Sequence, residues 1–187
     1  FLEQVTRHSL ITIHYGTSLV SINHQEKTIL VQNTKSKKCS TVVCDVVFGA
    51  DGVNSQVRSF VQQGQETKHT QEYAQWDYKQ ITFTKASVKK LDMKRHVAYT
   101  WTRKDASILA FPNNDGSVVA MFVLPKNSFA SLASAFAIKK FFRNNFPDLL
   151  PALFDITESL LKNPEGYFVT IHTDPWYYKD FIASNNP

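Results

Sequence analysis

The sequence predicts an α+β fold in which a mainly antiparallel sheet carries helices on one side and is attached to a smaller α/β segment. Three patterns support this prediction. Residues 76–124 contain stretches in which polar and apolar side chains alternate, as in half-buried antiparallel strands. Residues 131–161 carry apolar side chains near helical spacing. Residues 44–60 combine a short apolar run, a glycine turn and a helix start, which is typical of an α/β unit.

The composition is that of a folded protein with a substantial core. Of the 187 residues 43% are hydrophobic, and 14 Phe, 7 Tyr and 3 Trp exclude a disordered chain. This length suits one large domain or one and a half. The spacing of Cys39 and Cys44 fits neither a metal site nor a disulfide framework, so both are expected to be reduced thiols in a cytoplasmic protein. The 6 His are scattered singly, and no metal site is predicted.

The net charge and the start of the sequence indicate which partners and which cellular location to expect. The net charge is +5, with lysines clustered in 35–38 and 85–95. Nucleic-acid binding is one interpretation, but solvated loops are favoured because both clusters are short and turn-like and lack exposed aromatics between the charges. No stretch reaches the roughly 18 apolar residues of a membrane span, and the start lacks a signal-peptide pattern. Because it opens on Phe1 and not on Met, we expect a piece of something longer.

The first third of the chain predicts short elements. Residues 1–8 have the pattern of a helix end, and Leu10 to Tyr15 alternate like a strand. Residues 18–23 and 28–33 predict a hairpin around a polar loop. After a lysine- and serine-rich turn, residues 41–48 predict a further strand.

The stretch around Asp51 is the most informative. Residues 45–48 are apolar without polar alternation, which predicts a strand buried on both faces. Residues 49–52, Gly-Ala-Asp-Gly, predict a tight turn, and Asn54 or Ser55 can cap the helix that follows. Such a unit brings backbone N–H groups together, and an acidic side chain on the turn can accept hydrogen bonds from sugar hydroxyls. The alternative is an ordinary strand-to-helix loop with glycines at positive φ.

The rest of the chain predicts the larger sheet. Residues 62–72 are polar and are expected to be a surface connection. Four strands follow, the last two joined by a strong hairpin turn at 112–116: 76–84, 96–103, 107–111 and 118–124. Helices are predicted at 131–146 and 149–161, and a final strand at 167–173.

The spelling G-A-D-G-x-x-S-x-V-R at residues 49–58 resembles the "DG" motif of the flavoprotein aromatic hydroxylases, the p-hydroxybenzoate hydroxylase class. The resemblance implies FAD as cofactor and NAD(P)H as co-substrate. It assigns Asp51 and Gly52 to cofactor binding, with Asp51 on a ribose, and places the backbone near Leu19 beside the adenine. Arg58 is either a contact for a carboxylate or cofactor phosphate or a solvated helix residue.

Further segments resemble the kynurenine 3-monooxygenase family over nearly the whole chain. The matching stretches include Tyr73 to Ile81, residues 99–113, the Phe-Pro-Asp junction at 146–148 and residues 164–176. Departures occur at Gln80, where the family usually has Glu, and at Trp76, Asp77, Tyr99 and Thr102. If these positions face the substrate, we expect a substrate that differs from kynurenine. One sheet face is expected to line the substrate pocket through Tyr78, Gln80, Tyr99 and Trp101.

The resemblance implies a partial FAD-binding domain (1–61), the connection (62–72), a sheet-and-helix substrate domain (73–173) and a return toward the FAD-binding domain (174–187). No catalytic triad is expected, since the flavin performs the hard chemistry on a small aromatic substrate. The Gly-rich phosphate-binding unit is absent, so the chain alone is expected to be inactive and free of cofactor, and to self-associate through exposed apolar surface. The alternative is a non-catalytic α+β binding or interaction module.

Overall fold

The computed structural model describes Thr6 and residues 8–183. The helix end predicted for residues 1–8 therefore lies largely outside the described residues, as does the tail from Ser184. Within the described part, no helix is long and apolar enough to cross a bilayer.

The described chain is α+β, as predicted. Its strands are β1 (Thr17–Asn23), β2 (Thr28–Asn33), β3 (Cys39–Val43), β4 (Val47–Gly49), β5 (Lys68–Phe83), β6 (Tyr99–Arg103), β7 (Ala106–Pro112), β8 (Val118–Pro125), β9 (Glu165–Asp174), β10 (Tyr177–Tyr178) and β11 (Phe181–Ala183). Its α-helices are α1 (Gln56–Gly64), α2 (Lys85–Lys90), α3 (Ala135–Asn145) and α4 (Leu153–Lys162). Short 3-10 helices precede the last two, at Ser128–Leu132 and Pro147–Ala152.

The chain forms two compact units, and the first comprises the described residues up to Gln71 and from Ile171 onward. It contains an antiparallel sheet of order β1-β2-β3 and a second sheet of order β10-β11-β4, in which β4 and β11 run parallel. A small core joins α1 to β11 through Val57, Val61, Phe181 and Ala183, with Leu19 of β1 packed against it. This core fixes the start of α1 beside the end of β4.

The second unit, Glu72–Thr170, contains a five-stranded sheet of order β6-β7-β8-β5-β9. The pairs β6–β7, β7–β8 and β8–β5 are antiparallel. One face is covered by α3, α4 and the 3-10 helices, whose buried side chains meet those of the strands around Phe122. The predictions of a mainly antiparallel sheet and of the turn at 112–116 are confirmed, and β9 lies beside β5 in the same sheet.

Three predicted segments differ in the first unit. The strand predicted for Leu10 to Tyr15 does not form: among the described residues no strand pairs with this segment, and Leu10 is 88% exposed. Residues 41–48 are not one strand, since β3 pairs with β2 and β4 pairs with β11 in another sheet. The expectation that residues 45–48 are buried on both faces is wrong, because β4 is an edge strand and Phe48 is 71% exposed.

Two further segments are more regular than predicted. The polar stretch 62–72 is not simply a connection, because α1 continues to Gly64 and β5 begins at Lys68. Polar residues suffice there because most of that part of β5 is exposed. The second lysine cluster lies partly on α2 and not only in turns. Thr84 caps this helix by accepting a hydrogen bond from the backbone N–H of Ser87.

Candidate functional site

The Asp51 turn connects β4 to α1 and is held by hydrogen bonds from both directions. The backbone N–H of Ser55 donates to the Gly52 carbonyl over 3.1 Å, and Gly52 adopts φ 77°, which favours glycine. Gly49 is required for another reason: a Cβ there would lie 2.4 Å from the Cβ of Val57. Gly52 therefore allows the turn, and Gly49 allows β4 and α1 to pack closely.

Asp51 and Ser55 together cap α1. The Ser55 hydroxyl accepts from the Arg58 N–H at 3.0 Å and donates to Asp51 Oδ1. Asp51 Oδ2 accepts from the N–H groups of Gln56 at 2.7 Å and Val57 at 3.4 Å. Because the protein satisfies these three N–H groups itself, the helix start does not offer them to an anion. The turn can instead accept a hydrogen bond from a ligand hydroxyl.

The charge of Asp51 follows from these contacts. Burial by itself raises the pKa of this carboxyl, but the hydrogen bonds from the Ser55 hydroxyl and the Gln56 and Val57 N–H groups outweigh it, and the pKa lies below its usual range. Asp51 is exposed and anionic at neutral pH. Oδ2 accepts two hydrogen bonds from other residues and Oδ1 accepts one, so Oδ1 has room for an outside donor.

Arg58 is neither a solvated helix residue nor free to reach an anion. It is 9% exposed, and its guanidinium donates to the carbonyl of Gly52 at 3.2 Å and to the carbonyl of Val53. Arg58 thus stabilises the turn through hydrogen bonds to two of its carbonyl groups. The Leu19 side chain is half-buried and packs on the α1 core.

The four predicted substrate residues do not share one face, so that prediction is wrong. Tyr78 pairs with Val123, and Gln80 pairs with Met121. These two pairs point away from the helices. Tyr99 and Trp101 pair with Ala110 and Ile108, whose side chains lie in the helix-covered core. Their rings stack at 5.8 Å and pack against that core. They are packing residues.

We call the side of the five-stranded sheet that carries Tyr78 the open face. Its side chains are half-buried or exposed and mostly apolar: Tyr78, Gln80, Thr82, Leu109, Phe111, Val119, Met121 and Val123. The Tyr78 ring lies 5.0 Å from that of Phe168. Gly166 makes room for it, since a Cβ there would lie 2.4 Å from the ring. The alternation in β7 and β8 could have identified the open-face residues that were missed.

The chain is similar to flavin-dependent enzymes. The model of a family described as "FAD binding domain" matches residues 1–141. Kynurenine 3-monooxygenase of Salinispora arenicola is 32% identical over 176 residues, 92% of this chain and 39% of that protein. The enzyme of the same name from Flavobacterium psychrophilum is 30% identical over 165 residues, 87% of this chain and 37% of that protein. This chain therefore spans well under half the length of these relatives.

Solved structures share the fold. The tetrameric form of 2-methyl-3-hydroxypyridine-5-carboxylic acid oxygenase matches with a TM-score of 0.66 and 17% identity, over 89% of this chain and 43% of that one. The tetracycline destructase Tet(51) matches with a TM-score of 0.51 and 18% identity, with the same coverage. At these identities the likeness concerns the fold alone.

Replacing Asp51 with asparagine is expected to lower the free energy of unfolding at neutral pH by about 0.3–1 kcal/mol, because the amide keeps one oxygen acceptor but removes the negative charge from the N-terminus of α1. Because the folded pKa lies below the unfolded value of about 3.9, the contribution of the carboxylate is complete above that value. It is lost as the pH falls through the folded pKa. Urea unfolding at several pH values should show the two proteins converging in acid.

Asp45→Asn is the matched control for this change. The Asp45 side chain is 95% exposed and only faces Lys27 at 3.7 Å, so its replacement should change stability little at any pH. A stability difference for Asp51→Asn that stays constant from neutral pH into acid would contradict the capping role of the carboxylate.

Proposed function

Because the chain belongs to the FAD-binding domain family and is related to kynurenine 3-monooxygenases, we propose that it is part of an FAD-dependent monooxygenase. The enzyme hydroxylates an aromatic, kynurenine-like substrate with NAD(P)H and O₂. The observation that carries the proposal is the Asp51 turn, an exposed anionic acceptor fixed at a strand–helix junction of a chain in this family.

The residues of the turn fit FAD as a hydroxyl donor. Asp51 retains one acceptor position, and a Cβ at Gly52 would meet nothing within 4 Å, so a ribose can approach closely. The turn does not fit a phosphate, because Asp51 and Ser55 occupy the first N–H groups of α1. In this proposal Asp51 orients the sugar, Arg58 keeps the turn in place, and the backbone near Leu19 runs beside the adenine.

The open face is our proposed substrate surface. Bound FAD supplies the oxygen chemistry, and the protein supplies orientation and exclusion of water. Apolar side chains such as Met121 and Leu109 would contact the aromatic ring of the substrate, while the Tyr78 phenol and the Gln80 amide would hydrogen-bond to its polar groups. Tyr99 and Trp101 have no part in this surface. Gln80, where the family usually has Glu, leaves one negative charge fewer to attract a substrate ammonium group.

The product of the complete gene that contains these residues is the protein to test. We expect it to purify with flavin and to form a hydroxylated product from L-kynurenine, NADPH and O₂, detected by mass spectrometry. Asp51→Asn should lower its flavin occupancy, and Asp45→Asn should not. A product without flavin would overturn the proposal, whereas flavin without turnover of kynurenine would overturn only the substrate.

We also propose that the 187-residue chain alone is inactive and self-associates. Exposed apolar side chains of its first unit support the self-association, among them Phe48 at 71% and Val43 at 78% exposure. Sedimentation velocity should detect dimers or larger species that Phe48→Ser weakens. A monomer at all concentrations would contradict self-association.

A further inference from the structure

The second unit contains a cavity on the helix-covered side of the sheet, separate from the open face. Its volume is about 230 Å³, which is below the roughly 300–1,000 Å³ of pockets for drug-sized ligands and suits a smaller molecule. Its walls come from the middle of β5, the start of β9 and the segment after β8. Its lining includes Tyr73, Asp77, Lys126, Asn127, Glu165 and Tyr167.

The carboxylate of Asp77 is the distinctive group of this cavity. Asp77 is 9% exposed, and its position opposite Leu124 places it on the same face as the buried side chains of the core. Among the described residues, its one hydrogen bond comes from the Asn127 N–H to Oδ2, at 2.8 Å. A buried carboxylate is costly unless it is paired, and a single N–H leaves most of its acceptor positions unused.

The cation next to Asp77 on the same face of β5, Lys79, does not pair with the Asp77 carboxylate. Lys79 follows Asp77 on the same face, but its ammonium donates to the Leu160 carbonyl at 3.0 Å and lies over the Phe129 ring. Within the described residues, no ion pair joins Lys126 to Asp77 or Glu165. The Asp77 carboxylate therefore lines the cavity without an ion pair to any described residue.

Two aromatic rings complete the surroundings. The rings of Tyr73 and Tyr167 lie 5.5 Å apart at an angle of 52°, and both residues line the cavity. Aromatic faces attract cations, above all alkylated ammonium groups that are weakly hydrated. Asp77 and Glu165 give the lining two negative charges against the one positive charge of Lys126.

We propose that this cavity is a binding site for a small organic ammonium compound, whose cationic head lies between Asp77 and the rings of Tyr73 and Tyr167. Asp77 provides the charge, the two rings provide the apolar and cation–π contacts, and Asn127 holds the carboxylate through its backbone N–H. The site is independent of the flavin chemistry proposed above, since none of its residues belongs to the Asp51 turn or to the open face.

The test uses the 187-residue chain and choline as probe, followed by NMR. Choline should cause saturable shifts of the Asn127 amide and of the Tyr73 and Tyr167 rings. Its uncharged carbon isostere, with a tert-butyl group in place of trimethylammonium, should bind at least about tenfold more weakly. Equal binding of the two probes, or no saturable shift with choline, would overturn the proposal.

Variants separate charge from shape. Asp77→Asn keeps an oxygen that can accept from Asn127, and it should weaken choline at least about tenfold. Lys126→Gln removes a like charge and should tighten it. Asp105→Asn, in the exposed turn between β6 and β7, should leave it unchanged. If Asp77→Asn does not fold, Tyr167→Leu is the deciding variant, because Tyr167 is 52% exposed and its replacement removes little buried surface. Undiminished choline binding in that variant would refute the role of the two rings.

Discussion

Replacing Phe122 with alanine is expected to lower the free energy of unfolding by about 3–5 kcal/mol. Phe122 has no exposed surface and lies at the centre of the helix-covered core. Its ring centroid lies 5.3–6.1 Å from those of four other phenylalanines, at positions 129, 141, 142 and 146. The Phe122 ring comes from β8, and its neighbours come from α3, from the residue that ends α3 and from the first 3-10 helix. The cavity left by alanine therefore cannot close by movement of a single element.

The measurement is urea unfolding, with Phe136→Ala as the matched control. Phe136 lies on α3 but is 78% exposed, so the same change of residue should alter stability by less than about 0.5 kcal/mol. Amide exchange should accelerate in β7 and β8 for the Phe122 variant. Similar losses of stability for both variants would show that the phenylalanine cluster is not the main core of the second unit.

The sheet around Phe122 was predictable because its strands alternate cleanly. In β8 the buried residues are the even-numbered ones, Val118 to Leu124, and an NNDG turn joins it to β7. Period-two alternation identifies a strand and its two faces. It does not say which face of one strand continues into which face of the next, since that depends on register.

The prediction that Tyr99 and Trp101 line the substrate pocket was wrong for this reason. Both alternate within β6 as predicted, yet pairing with Ala110 and Ile108 turns them into the core, whereas Tyr78 and Gln80 lie on the open face. β5 and β6 are not neighbours in the sheet, and the segment between them is long and partly helical, so the alternation within each strand does not say which of their faces lie on the same side. The order of motifs therefore fixed the family resemblance well and the orientation of single side chains poorly.

The Asp51 turn was predictable in part. Its glycines, acidic residue and Ser55 cap follow from residue types and spacing. Two features could not be predicted from residue types and spacing. One is that Asp51 and Ser55 share the helix N–H groups, and the other is the contact of Arg58 with the Gly52 and Val53 carbonyls. A charged side chain on a short helix is usually solvated, and only tertiary contacts reveal that this one is buried beneath the turn.

Gly49→Ala is expected to destabilise the first unit by about 3 kcal/mol, at the upper end for overpacking. The new Cβ would lie 2.4 Å from the Val57 Cβ and 2.8 Å from both Val57 Cγ atoms. Rotation about χ1 does not move a Cβ, so β4 and α1 must separate. Separation would pull the Gln56 and Val57 N–H groups away from Asp51, and the pKa of Asp51 should rise toward its usual range.

Gly64→Ala is the matched control, because it makes the same change at the other end of α1. Its Cβ would approach the Tyr178 ring at 2.5 Å, but a ring at the end of a side chain can rotate away. Alanine also favours the helix by about 1 kcal/mol over glycine. We therefore expect a smaller loss of stability and an unchanged Asp51 pKa, both followed by urea unfolding and carboxyl NMR. Equal effects at both glycines would mean that the close contact of β4 with α1 does not position Asp51.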